Sequence, residues 1–147
     1  MSTTATTFLF DNGVFRLDFE NGFVTSLRPG AAAFGKSDTE FVYPGMAFGT
    51  FEAVVETENG PVGSAFEMVG EPVFDTLPQG EKVTIHYESK DFPLKATAVY
   101  TLVKDKCLWK LEFENTTDKA VTITDLSLPF PCNTKFDWGV SASDKVL

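Results

Sequence analysis

Along most of this chain apolar and polar residues alternate with a period of two, and no window of eleven residues sustains the spacing of an amphipathic helix. Val83, Ile85 and Tyr87 alternate with Thr84, His86 and Glu88. Leu94, Ala96, Ala98, Tyr100 and Leu102 alternate with Lys95, Thr97, Val99, Thr101 and Val103, a strand with one apolar face and a second that is fairly apolar too. Trp109, Leu111 and Phe113 point away from Lys110, Glu112 and Glu114. The polar run 115–119 and then Val121 and Ile123 follow, which predicts a hairpin with Trp109, Leu111 and Phe113 in the core.

Asn12-Gly13 and Asn21-Gly22 bracket residues 14–20. These dipeptides tolerate positive φ and suit tight turns, so the first three strands, near 8–10, 14–20 and 23–28, are expected to form a meander. Further strands are predicted at 40–43, 48–56, 66–69 and 73–77, divided by Pro44-Gly45, Asn59-Gly60-Pro61, Gly70-Glu71-Pro72 and Pro78-Gln79-Gly80. Turn signals at intervals of about 8–12 residues indicate an all-β, two-sheet antiparallel sandwich with little or no helix.

Length and composition sharpen this picture. At 147 residues the chain predicts a single domain, residues 8–147, behind a disordered segment at 1–7. Fifteen Phe beside three Tyr and two Trp are enough to fill a core. The apolar runs are far shorter than the roughly 20 residues of a spanning helix, and residues 1–10 lack the pattern of a signal peptide. The expectation is a soluble chain, either cytoplasmic or trimmed of its leader, with no membrane partner. Twelve Lys and Arg against 21 Asp and Glu give a net charge of −9, which argues against nucleic acid. Cys107 and Cys132 are the two cysteines, and a domain of this size needs no staple, so two free thiols are expected. The chain stops at 143–147 soon after a strand-like stretch at 135–138, the pattern of a piece of something longer.

Several motifs offer chemistry. Residues 30–37 match the phosphate-loop pattern letter for letter, but a working loop opens a helix at Lys36-Ser37, and the strand-like 38–43 before Pro44 leave no room for one. Glu112 and Glu114 lie two apart on a predicted strand, a spacing compatible with a glycosidase pair, yet on a face opposite the apolar one with nothing to raise a pKa. His86 is the sole histidine, and with two cysteines it cannot complete a structural zinc site, so neither metal nor cofactor is expected. Asn115-Thr116-Thr117 fits a glycosylation acceptor and equally a polar turn. The segment 128–138 mixes aromatics with amide and charged side chains on a stretch stiffened by Pro129 and Pro131. Aromatic faces stack on pyranose rings while Asn, Asp and Lys bond hydroxyls. Asn133, Lys135, Phe136, Asp137 and Trp138 are therefore the candidates for oligosaccharide contact or for docking.

The stretch from Phe15-Arg-Leu-Asp-Phe-Glu-Asn-Gly to Leu27, the stretch from Trp109-Lys-Leu-Glu-Phe-Glu-Asn-Thr-Thr to Leu126, and Leu128-Pro-Phe-Pro together resemble the N-terminal β-sandwich of bacterial glycoside hydrolases. In those enzymes a supersandwich of the galactose-mutarotase-like type precedes an (α/α)6-barrel catalytic domain. The resemblance spans roughly 14–140. Mutarotases use two histidines and a glutamate, and with His86 alone the epimerase activity does not transfer. The barrel that carries the hydrolase carboxylates is absent, so no catalytic residue transfers either. The resemblance implies a non-catalytic accessory domain whose partners are a companion catalytic domain or subunit and an oligosaccharide. A free-standing carbohydrate-binding module, and a small subunit of a two-chain glycoside-processing enzyme, stay open as alternatives.

Overall fold

The computed structural model describes residues 6–30 and 40–133. Nine strands and no helix are present among them. Three strands, β1 (Thr7–Asp11), β2 (Phe15–Glu20) and β3 (Phe23–Pro29), form an antiparallel meander. The second sheet runs β8-β7-β6-β5-β4-β9, with β4 (Glu52–Thr57), β5 (Gly60–Leu77), β6 (Gly80–Ser89), β7 (Leu94–Val103), β8 (Lys106–Asn115) and β9 (Ile123–Ser127). The two antiparallel sheets make the expected all-β architecture, consistent with a sandwich.

The alternation read from the sequence is the inward face of this second sheet. Val83, Ile85 and Tyr87 on β6 and Leu94, Ala96, Ala98, Tyr100 and Leu102 on β7 are all buried. Register explains the small residues. Ala96 lies between Tyr87 and Phe113, and Ala98 between Ile85 and Leu111, so methyl groups alternate with bulky side chains across each row. That leaves space above β7 for rings arriving from elsewhere: Phe51 meets Phe66, Tyr87 and Phe113, and Phe19 of β2 meets Tyr100 edge-on at 5.1 Å. Phe8 and Phe10 of β1 both reach Phe74 of β5.

Both Asn-Gly turns form as expected: Asn21, Gly22 and Gly13 take positive φ, and Asn12 Oδ1 accepts from the Val14 and Phe15 amides. β1 begins at Thr7, the last residue of the segment expected to be disordered. Three expectations need correction. Gly70-Glu71-Pro72 does not end a strand. It is a register shift inside the single long β5, where Gly70 takes φ 71° and Pro72, without an N–H, sits at the break in the ladder. Residues 40–43 form no strand, only an isolated bridge between Val42 and Cys132. Nor is β8 in a hairpin with β9. After the 115–122 connection β9 crosses to the far edge and pairs with β4, where the Thr124 hydroxyl also donates to the Val54 carbonyl.

Trp109, Leu111 and Phe113 do face inward, but at the rim: each is half-buried against the core rather than within it. Trp109 stacks on Tyr100 with ring planes 14° apart. Because the side chain is only partly buried and its buried Nε1 finds no hydrogen-bond partner among the described residues, Trp109→Ala is expected to cost about 2 kcal/mol in urea unfolding, below the roughly 3–5 kcal/mol of a fully buried aromatic.

The two buried tyrosines make a paired test. Tyr87 donates its hydroxyl to the Gly22 carbonyl at 2.6 Å, tying β6 to the β2–β3 turn, whereas the Tyr100 hydroxyl is buried with no partner among the described residues. Burial pushes both phenols well above their ordinary pKa. Tyr87→Phe strands a carbonyl and is expected to lower stability by about 1–2 kcal/mol. Tyr100→Phe removes an unsatisfied group and is expected to be neutral or stabilising by about 1 kcal/mol. Matched denaturation curves read both.

Candidate functional site

Among the described residues the chemistry-bearing side chains do not converge on a catalytic constellation. His86 lies on the outer face of β6, its Nδ1 3.1 Å from the Thr97 hydroxyl. Glu112 and Glu114 are exposed on the outer face of β8, and Glu112 pairs with Lys110 at 2.8 Å. Both cysteines are free thiols. Although Cys107 as a residue is exposed, its thiol is desolvated and pushed up to about 11, which keeps it protonated and weakly nucleophilic at neutral pH. Asn115 is spent on its turn: its Oδ1 accepts from the Thr117 amide and hydroxyl, and its Nδ2 donates to the Lys119 carbonyl. Among the described residues no group of His, Cys, Asp and Glu is placed to hold a metal. Of the phosphate-loop-like run only Gly30 is described, its amide donating to the Val14 carbonyl.

Of the candidates for oligosaccharide contact or docking, Lys135, Phe136, Asp137 and Trp138 lie outside the described residues. Asn133 is described, and the structure moves it from the expected surface into the interior at 6% exposure. Its amide nitrogen donates to the Glu40 carbonyl at 3.0 Å and its backbone N–H to the Phe41 carbonyl at 2.8 Å. The sequence signal was misleading because an Asn after prolines reads as a loop residue, and nothing local shows that residues 40–43 will run beside it.

Glu40 is the residue that sequence reasoning missed. Its carboxylate accepts from the Ser26 hydroxyl at 2.5 Å, the Leu27 amide at 3.0 Å, the Val42 amide at 2.9 Å and the Arg28 Nε at 3.0 Å. Burial alone would raise its pKa, but these donors together outweigh it and hold the carboxyl below its usual value. The group is a bracket rather than an acid or base: it binds β3 to residues 40–42, and through Asn133 to the end of the described chain.

What the fold leaves open lies beside that bracket. The β2–β3 turn, residues 45–50 and residues 129–131 frame two adjoining clefts of about 720 and 640 Å³, which share Glu20, Thr25 and Ala47 in their walls. The larger is lined by Phe23, held in place by stacking on Tyr87 at 5.5 Å, with Asn21, Glu67 and Lys90 around it. The smaller is bordered by Met46, Pro129 and Pro131. Met46, which lines it, is 55% exposed, and Leu128 and Phe130, which flank Pro129 in the chain, are 47% and 71% exposed, apolar side chains in water. Phe130 is not loose: its ring packs edge-on against Phe48 at 4.2 Å.

Because the folded pKa of Glu40 lies below its unfolded one, its contribution is fully present above the unfolded carboxylate range and is lost as pH falls through the folded value. Glu40→Gln is expected to cost about 1–2 kcal/mol at pH 7, allowing for solvent screening at the half-exposed Arg28, and the gap to wild type is expected to close as pH falls below about 4. Unfolding free energies measured from pH 7 to pH 3 decide it; a gap independent of pH contradicts the bracket. Comparison of the chain with protein-family models, with curated proteins and with solved structures gives no match.

Proposed function

We propose that this chain is a non-catalytic β-sandwich module of a carbohydrate-active protein, which docks a companion catalytic domain or subunit through the face built by Met46, Leu128 and Phe130. The observation that carries docking is Phe130. A phenyl ring mostly in water is unfavourable, yet this one is fixed by Phe48 beneath it and by Pro129 and Pro131 on either side, as a preorganised anchor is. What supports the carbohydrate context is the resemblance of residues 15–27, 109–126 and 128–131 to glycoside-hydrolase sandwiches. Of the carboxylates singled out above, Glu40 is consumed by structure, while Glu112 and Glu114 face solvent.

A second reading has its own observation. Phe23 is a half-buried ring held by Tyr87 in the larger cleft, with Asn21, Glu67 and Lys90 near enough to meet hydroxyls. A pyranose could stack there, which makes direct glycan contact the alternative to docking.

Immobilised chain exposed to a lysate of its source cells is expected to retain glycosidase activity, and Phe130→Asp, with its fold checked against wild type by circular dichroism, is expected to release it. Retention of no glycosidase, or retention indifferent to Phe130→Asp, refutes docking at this face. Calorimetric titration with a panel of oligosaccharides separates the second reading: saturable binding lost in Phe23→Ala but kept in Phe130→Asp assigns the sugar to the larger cleft.

A further inference from the structure

Among the described residues the two sheets have four edge strands, of which three are blunted and the fourth, β8, has no strand on its outer side. β1 and β9 are five residues long. β9 also carries a register shift against β4 and is followed by Pro129. β3 ends in Pro29, and its free side is occupied by Phe48, which exchanges two backbone hydrogen bonds with Val24, and by Phe41, which donates to the Leu27 carbonyl. β8 differs. It has ten residues, contains no proline or glycine, and pairs with β7 from end to end without a shift. Long, regular, open edges of this type template pairing with another strand.

Its sequence says which strand. The two-residue turn makes Val103 and Lys106 the hydrogen-bonded pair that closes the β7–β8 hairpin, so even-numbered residues of β8 bond to β7. Odd-numbered residues 107–115 then present N–H and C=O to the free edge. A two-fold axis at Leu111 pairs those odd positions with each other. It sets Leu111 against its own copy, Trp109 against the partner's Phe113, and Lys110 against the partner's Glu112, twice over by symmetry. Other registers are worse. An axis at Phe113 opposes Glu112 and the partner's Glu114, and an axis at Trp109 opposes Lys110 and the partner's Leu108.

We propose that the β8 edge is the interface of a symmetric homodimer, in which two copies pair antiparallel about Leu111 into one continuous twelve-stranded sheet. Pairing completes the cover of Trp109, Leu111 and Phe113, the half-buried rim of the core, and satisfies the open backbone row. The Lys110–Glu112 contact now made within one strand is exchanged for cross-strand contacts that cement the axis. The surface is distinct from the Phe130 face, so both can be used at once.

The test is sedimentation equilibrium of the full chain across about 1 µM to 1 mM, read as a dimer dissociation constant. Wild type is expected to dimerise, more weakly as salt is raised. Lys110→Glu puts like charges opposite each other twice and is expected to weaken the dimer on the order of tenfold, as is Glu112→Lys. The double exchange Lys110→Glu with Glu112→Lys is expected to restore it. Both side chains are exposed, so circular dichroism matching wild type is expected for each variant. A monomer throughout, single variants without effect, or a double variant no tighter than the singles overturns the proposal. So does a dimer abolished by Phe130→Asp and indifferent to the β8 charges.

Discussion

Three strands have to cover six, and most of this structure follows from that mismatch. β1–β3 cannot shield the whole inner face of the larger sheet with aliphatic side chains of ordinary reach. The area is bridged by rings instead: Phe8 and Phe10 to Phe74, Phe19 to Tyr100, Phe23 to Tyr87, and Phe51, from the segment before β4, over Phe66 and Phe113. An aromatic buries more area than an aliphatic while locking no more torsions than Leu or Ile, so an abundance of Phe is the compositional signature of a lid too small for its box. The cover is incomplete: Trp109, Leu111 and Phe113 on β8 stay half-buried, and Leu128 and Phe130, like Val73 and Phe74 on β5, reach solvent. Both proposed interfaces fall on such surface.

The uneven cover also explains the polar contacts. With few strands to hold it, the small sheet is fastened at particular points: the Tyr87 hydroxyl to the Gly22 carbonyl, Asn12 to the Lys104 carbonyl at 3.2 Å, the Val24–Phe48 bridge, and the Glu40 carboxylate under β3. Each joins a turn or edge of the small sheet to something outside it. A buried hydrogen bond left unmade costs more than a made one contributes, so these fastenings select one placement of the lid among several that would bury similar area.

How far the sequence disclosed this depended on the range of the interactions concerned. The inward faces of β6 and β7 could be read from Val83 to Leu102 because alternation is local, and the meander because Asn-Gly signals its own turn. The reading failed where the partner was distant or the local signal had two uses. Gly70-Glu71-Pro72 looks the same as a turn or as a bulge, and only β6 alongside makes it the latter. Val121 and Ile123 were placed beside β8 because they follow it, whereas β9 is drawn across the sheet to the open side of β4. Glu40 was silent for the same reason: three of its four donors lie 12–14 residues upstream, and no spacing rule connects them. The half-burial of Trp109 reflects the width of the opposing sheet, which alternation does not encode.

The bracket at Glu40 bears on the order in which the chain assembles. β5 to β8 are successive antiparallel neighbours whose contacts close over short stretches of chain, so they can form early and at little entropic cost. The bond from Asn133 to Glu40 closes a loop of 93 residues, and it can form only when both sheets and β9 are in place. Interactions absent from the transition state act on the rate of unfolding rather than on that of folding. The bond between Asn133 and the Glu40 carbonyl is therefore expected to act as a latch on the finished molecule, slowing its opening more than its formation.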